Sequence, residues 1–263
     1  MKFIKYHGLG NDFVFIEDFE GELVVRGEEL AQKLCHRHFG IGADGLVLIT
    51  KMMGLYAMRI FNADGTEAEM CGNALRCVAD YLLAADLVEG PSMEINTRSG
   101  VKKVTFRNGQ YTVDMGEPDF SFNQGKPIGV VSHGQSWQIY PVSMGNPHGV
   151  VFLDDLSKLD FEFWGPRLEQ ASVWPQGANI EFTQVLNSQH LLVRVWERGA
   201  GPTLACGTGA CAAAVTAGRI GLTKGRVRVT LPGGDLFIEH TPENRVLMTG
   251  PAEKVFEGTI DLT

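Results

Sequence analysis

Two cysteine–glycine pairs are the residues best placed to do chemistry. Cys71-Gly72 and Cys206-Gly207 are separated by 135 residues, and each opens a long apolar segment of helix-forming composition. A helix N terminus leaves backbone N–H groups without partners and carries about half a positive charge. A thiol placed there is expected to ionise below its usual pKa of about 8.5. The same N–H groups can bind a carboxylate, and Gly72 and Gly207 would let it approach the backbone closely. Two such thiols facing each other suit one reaction. One thiolate removes the α-proton of an amino acid, and the opposite thiol reprotonates the planar carbanion from the other face. The helix ends stabilise the charge that develops on the carboxylate, and no cofactor need carry the electrons.

The spacing of 135 recurs elsewhere. It links Gly10-Asn11 to Gly145-Asn146, Gly42-Ala43-Asp44 to Gly177-Ala178-Asn179, and Arg59 to Arg194. After one slipped residue, Gly116 answers Gly250. Four separated matches at one offset predict two similar halves related by duplication. A pseudo-twofold axis between them would place Cys71 and Cys206 on opposite sides of the interface.

The elements follow the same order in each half. A strand-like segment leads (3–16; 137–153), then a polar, helix-permitting stretch (28–39; 155–171), then two strand-like runs (46–50 and 55–62; 180–186 and 191–197). A loop of small and polar residues ends at the Cys-Gly pair. In the first long segment, Ala74, Leu75, Val78, Ala79, Leu82 and Leu83 recur at helical spacing. The second, 206–219, is rich in Ala, closed by Gly218 and apolar nearly all round, which predicts a central buried helix. Alternating strands finish each half (93–96, 101–107, 111–115; 227–231, 235–240, 246–249). The boundary is expected in the Gly-, Pro- and polar-rich stretch 116–134.

Composition narrows the partners. The chain has 263 residues, enough for a core without disulfide staples. Acids outnumber bases 31 to 23, and no Lys/Arg cluster offsets them, so nucleic-acid binding is not expected. No apolar run follows the N terminus as a secretory signal would require. The one span long enough for a membrane, 204–222, is mostly small residues with Arg219 inside, so no membrane association is expected. Five cysteines, an odd count without CxxC, point to free thiols in a cytoplasmic protein. Cys35, Cys77 and Cys211 read as small buried hydrophobes. Gly40 to Gly45 matches GxGxxG, but a strand follows it where a dinucleotide site needs a helix. Cys35, His36 and His38 have no second ligand segment, so no metal site is expected.

At these residues the sequence resembles the diaminopimelate epimerase family. The matching stretches are His7-Gly-Leu-Gly-Asn-Asp-Phe13, Phe61-Asn-Ala-Asp-Gly65 through Met70-Cys-Gly-Asn-Ala-Leu-Arg-Cys77, Met144-Gly-Asn-Pro-His148, and Glu197-Arg-Gly-Ala-Gly201 through Ala205-Cys-Gly-Thr-Gly-Ala-Cys211. They run in the family's order and span essentially the whole chain. The resemblance implies a cofactor-independent isomerase of lysine and peptidoglycan biosynthesis that interconverts LL- and meso-2,6-diaminopimelate. It implies an α/β fold of the α+β type, with two pseudo-symmetric lobes, each a mixed sheet or barrel wrapped around a central helix, and the active site between them. The last strand, near 256–262, would return to the first lobe. That gives lobes of 1–115 plus 252–263, carrying Cys71, and 116–251, carrying Cys206.

Carried over by motif, Cys71 and Cys206 are the acid/base pair. Gly72-Asn73 and Gly207-Thr208 supply backbone donors to the reacting carboxylate. Asn11, Asn62, Asn146, Asn179 and Arg198 bind the substrate's amino and carboxylate groups, Glu197 takes an ammonium, and His148 and Glu197 tune the thiols. A doubly zwitterionic substrate needs such partners: Arg grips a carboxylate bidentately and Asn offers donor and acceptor. Some relatives carry Gln, a further substrate contact, where Gly45 stands. The family's dimer contact, through the returning strand, implies a homodimer, with Phe256 where some relatives have Tyr.

Two other readings compete. A proline-racemase-like or phenazine-pathway-like isomerase would act on another amino acid. Both cysteines argue against a single-acid isomerase, and Glu197-Arg198 with Asn62 and Asn179 argues for a second amino-acid head group. A thiol redox protein would instead join Cys71 and Cys206 in a reversible disulfide, leaving the carboxylate and ammonium ligands without a purpose.

Overall fold

The computed structural model describes residues 1–261. The expected last strand ends at Leu262, which lies outside the described residues. The chain divides into two units: Met1–Asp114 together with the segment from Gly250 onward, and Met115–Thr249.

The first unit contains β1 (Lys2–Gly8), β2 (Asn11–Glu17), α1 (Gly27–Leu34), β3 (Gly45–Met52), β4 (Leu55–Asn62), the two-residue β5 (Glu67–Ala68), α2 (Gly72–Ala84), β6 (Ser92–Thr97), β7 (Gly100–Arg107) and β8 (Gln110–Asp114). The second contains β9 (Ile128–Ser132), β10 (Gln135–Ser143), β11 (Pro147–Leu153), α3 (Phe161–Glu169), β12 (Asn179–Asn187), β13 (His190–Glu197), β14 (Gly201–Pro202), α4 (Gly207–Arg219), β15 (Val227–Leu231), β16 (Gly234–His240) and β17 (Val246–Gly250). The final strand, β18 (Glu253–Thr259), belongs to the first unit.

Both units have one topology. In the first, the strands pair in the order β18, β1, β2, β3, β4, β6, β7, β8. In the second the order is β9, β10, β11, β12, β13, β15, β16, β17. Parallel contacts fall at the same two steps in each, β2 to β3 and β4 to β6, and β11 to β12 and β13 to β15. Parallel neighbours need a crossover, and at each such step a helix supplies it. The edge strands are exchanged. β9 follows β8 in sequence but heads the second unit's sheet, while β18 follows β17 and pairs with β1.

The expected leading strand of each half is in fact two. Leu9 and Gly10 take positive φ values of 58° and 82°. They form the two-residue turn that lets Gly8 pair with Asn11. The stretch 116–134 is likewise not only a connector, because β9 lies inside it. Leu46, Val47, Leu48 and Ile49 of β3 are all fully buried, as a strand covered on both faces requires.

The central helices are packed for different reasons. Ala74, Leu75, Val78, Ala79 and Leu82 of α2 are fully buried. Asp80 pins that helix to β1 and β8 by accepting hydrogen bonds from Tyr6 and Tyr111, each at 2.8 Å. Arg76 Nε donates to the Pro251 carbonyl at 2.9 Å and so ties the helix to the segment before β18. In α4 the run Ala210 to Ala217 is buried, and small residues let several strands approach the helix. Among the described residues no helix is long and apolar enough to cross a membrane.

The outer helices repeat one device. A β-carbon on Gly27 of α1 would lie 2.2 Å from the Phe61 ring, and one on Gly165 of α3 would lie 2.2 Å from the Trp196 ring. Phe61 and Trp196 stand at the repeat spacing. Gly27→Ala and Gly165→Ala should each destabilise by about 1–3 kcal/mol through overpacking, against a helix-propensity gain of about 1 kcal/mol. Urea unfolding reads the outcome, and a raised midpoint in either variant would contradict this packing.

Candidate active site

Cys71 is the N-cap of α2 and Cys206 that of α4, both in extended backbone. Extended geometry at the cap turns the chain so that the next residues' N–H groups point out of the helix end. Gly72 and Asn73, and Gly207 and Thr208, are the first two helical residues in each case.

In the first unit the turn at 9–10 sets Asn11 beside this helix end. The Asn11 carbonyl oxygen accepts from the Cys71 thiol at 3.8 Å and from Asn73 Nδ2 at 3.1 Å. Its amide nitrogen donates to Asp44 Oδ2 at 2.9 Å. Asp44 is held in turn by Arg37 at 2.7 Å, and Arg37 also reaches Asp12 at 2.9 Å. The buried Lys5 pairs with Asp12 at 2.6 Å and donates to the Gly42 carbonyl. Burial pushes the Asp12 carboxyl up, but hydrogen bonds from Arg37 and Lys5 outweigh it and hold the group below the ordinary carboxylate range. Asn62 is not joined to this cluster. It is exposed at the end of β4, with Nδ2 donating to Thr66 Oγ1 at 3.0 Å. Gly45 pairs with Asn62 across β3 and β4, and a β-carbon on it would lie 2.9 Å from the Phe61 carbonyl oxygen. A larger residue there would require the two strands to part.

In the second unit the cluster is more buried. Cys206 Sγ accepts from Gly209 N–H at 3.3 Å and lies 3.5 Å from Thr208 Oγ1. Asn146 Nδ2 is 3.5 Å from the same hydroxyl, and Asn146 Oδ1 is 2.9 Å from His148 Nε2. His148 Nδ1 meets Glu181 Oε1 at 2.7 Å, with both side chains fully buried. Glu197, at the end of β13, accepts from Thr203 Oγ1 at 2.7 Å.

Asn179 is buried and ties three segments together. Its Nδ2 donates to the Pro147 carbonyl at 3.0 Å, and its Oδ1 accepts from Arg198 N–H at 2.9 Å. Glu169 of α3 holds the turn after β13, accepting from Trp196 Nε1 at 3.2 Å and Gly199 N–H at 3.1 Å. The Arg198 side chain is exposed and, with His148, Trp174, Gln176 and Asp119, lines a cavity of about 320 Å³.

The expectation of a low thiol pKa fails at Cys206. Burial, and then the Glu197 and Glu181 carboxylates, push this thiol well above its ordinary value. The hydrogen bonds from Thr208 and Gly209 only partly offset them. Away from the helix starts, burial raises the Cys77 thiol and pushes Cys35 up to about 12. Cys35, Cys77 and Cys206 are free thiols.

Comparison with known proteins agrees with the motifs. The sequence profile of the diaminopimelate epimerase family matches residues 3–121 and 140–255. The chain is 46% identical to a diaminopimelate epimerase of Desulfitobacterium hafniense, over 99% of this chain and 98% of that one. It is 44% identical to one of Synechocystis, over 100% and 99%. The chain belongs to the diaminopimelate epimerase family. Solved structures share the fold of this epimerase-family chain. A phenazine biosynthesis protein of the PhzF family from Bacillus anthracis superposes with a TM-score of 0.75 at 17% identity, covering 100% of this chain and 99% of its own. A probable proline racemase from Agrobacterium radiobacter gives 0.72 at 14%, covering 100% and 93%. At such identities the likeness is one of fold alone.

Sequence reasoning about this epimerase-family chain missed Asp44, Glu169, Glu181 and Thr203. Asp44 had a signal, because it stands at the repeat position of Asn179. Glu181 had one too, as a lone carboxylate inside the apolar run of β12. Glu169 and Thr203 act only through the tertiary arrangement of α3 and the β13–β14 turn.

The raised Cys206 pKa predicts slow alkylation at neutral pH. Because the thiolate is the nucleophile, the Cys206 rate with iodoacetamide should rise roughly tenfold per pH unit between about pH 7 and 9. Peptide mass spectrometry resolves Cys206 from the other thiols. A rate already level by pH 7 would show that the helix end outweighs burial.

Proposed function

We propose that this chain interconverts LL- and meso-2,6-diaminopimelate, and that Cys71 and Cys206 are the groups that move the proton. The observation that carries this reading is a shared one: in each unit a cysteine caps the long buried helix. Membership of the epimerase family supplies the substrate.

The mechanism balances without an outside electron carrier. The thiolate of one cysteine takes the α-proton, and the C–H electron pair moves into the adjacent carboxylate. The opposite thiol then gives its proton to the other face of the same carbon. One thiol and one thiolate are present before and after, with their places exchanged, so the reverse reaction starts from the other sulfur. The N–H groups of Gly72 and Asn73, and of Gly207 and Thr208, stabilise the charged carboxylate at helix ends. Asn11, Asn62, Asn146, Asn179 and Arg198 hold the amino and carboxylate groups, with Arg198 suited to bidentate capture. Glu197 takes an ammonium, and His148 and Glu197 tune the thiols. The raised Cys206 pKa favours that cysteine as the resting proton donor.

We also infer a homodimer joined through β18. That strand pairs with β1 and shows Val255 and Phe256 to solvent, where a second copy could cover them.

Proton NMR of reduced protein with LL-diaminopimelate in D₂O tests the reaction. One α-proton signal should wash out while the meso isomer appears. Absence of exchange in folded protein with free thiols would refute the substrate. Cys71→Ala and Cys206→Ala should each lower turnover by about 10²–10⁴-fold, the range for one general acid or base. Full turnover in either variant would exclude the two-thiol mechanism.

A further inference from the structure

We propose that Glu181 is a positioning residue which, through His148, fixes the end of the Asn146 amide that faces the Cys206 half-site. The inference rests on the two-thiol reading and extends it to a residue outside the motifs.

The argument begins with an asymmetry. At the repeat spacing, His148 corresponds to Phe13 and Glu181 to Leu46, both buried and apolar. The second unit therefore buries an ionisable pair where the first has hydrocarbon. Burying such a pair is costly unless its geometry is good and its hydrogen bonds are made, so the pair calls for an explanation beyond packing.

The hydrogen bonds give one. His148 Nδ1 and Glu181 Oε1 are 2.7 Å apart and share a proton. A neutral ring with its hydrogen on Nδ1, beside a Glu181 carboxylate, would leave Nε2 as an acceptor; what faces Nε2 is the Asn146 carbonyl oxygen, which needs a donor. Nε2 therefore carries the hydrogen that Asn146 Oδ1 accepts at 2.9 Å, and Nδ1 either accepts from a protonated Glu181 or belongs to an imidazolium beside its carboxylate. The Asn146 amide is thereby oriented, with Nδ2 toward Thr208 Oγ1 at 3.5 Å. A hydroxyl that accepts from Nδ2 is left to donate its own hydrogen to Cys206 Sγ, also at 3.5 Å. Without Glu181, a neutral His148 could move its proton to Nδ1, and the amide could turn over.

The first unit orients its matching asparagine the other way. Asp44 takes the Asn11 amide nitrogen, which leaves the carbonyl oxygen for the Cys71 thiol. Cys71 thus faces an acceptor, and Cys206 faces donors from Thr208 and Gly209. Gly209 belongs to the same device, because a β-carbon there would lie 2.9 Å from Glu181 Oε1 and 3.2 Å from Cys206 Sγ. The charged groups acting on this sulfur are Glu197 and Glu181. Glu181 therefore has two opposed effects on Cys206, a direct repulsion of the thiolate and an indirect supply of donors. We infer that the second dominates.

The two effects are separable in the full-length protein. Glu181→Leu should lower kcat at least tenfold with KM changed less than threefold, and should slow alkylation of Cys206 at pH 8 at least threefold. The Cys71 rate serves as an internal control and should stay within twofold. The paired change Glu181→Leu with His148→Phe, which installs the residue types of the first unit, should restore the thermal midpoint but not kcat or the Cys206 rate. Glu181→Gln, which can still hydrogen bond to Nδ1, should recover most of both. Faster Cys206 alkylation in Glu181→Leu would show that repulsion dominates. A paired variant with parental kcat, or a Gln variant as impaired as the Leu variant, would also overturn the assignment. Alkylation reads the Cys206 half-site whatever the substrate, so failure here is distinguishable from failure of the proposed reaction.

Discussion

The rest of the structure depends on a helix buried among strands with its N terminus left to a cysteine. In each unit ten of the thirteen helical residues are buried. A buried helix end is costly unless its first N–H groups find partners. In α4 the cap's own side chain supplies one partner, since Cys206 Sγ accepts from Gly209 N–H. Sulfur is a weak acceptor, so this end is held by a group that can also do chemistry. The strand order serves this constraint. Each sheet crosses over twice, and the second crossover, after β4 or β13, carries the central helix.

Duplication gives the two units the same frame and leaves their polar interiors free to diverge. The frame is alike down to the glycine of each outer helix that seats an aromatic ring, Phe61 of β4 or Trp196 of β13. The insides differ. In the first unit an Asp–Arg–Lys cluster reaches the thiol through Asn11. In the second a buried His–Glu pair does so through Asn146. A two-base isomerisation starts and ends with one thiol and one thiolate, so half-sites that are built differently fit the reaction better than two identical ones.

The electrostatics show how burial competes with a helix end. A helix terminus contributes about 0.3–1 kcal/mol to a nearby charge at exposed positions, and desolvation of a buried ionisable group can shift its pKa by several units. At Cys206 burial and two carboxylates win. The Gly209 N–H and the Thr208 hydroxyl offset that shift only in part.

Much of this was legible in the residues themselves. The offset of 135, the start of each long helix at its Cys-Gly pair and the run of buried β-strand residues at 46–49 follow from local composition and periodicity. Those patterns are set by which side chains must leave water, a property that each residue carries alone. The turn at Leu9-Gly10 was not legible, because Leu rarely takes a positive φ and only pairing of β1 with β2 enforces it. Nor was the exchange of β9 and β18, since an edge strand's sequence does not say which sheet it joins. The Cys206 pKa and the line from Glu181 through His148 to Asn146 belong to the tertiary structure for the same reason. They depend on burial and on distances between residues far apart in the chain, and neither quantity exists until the fold has formed.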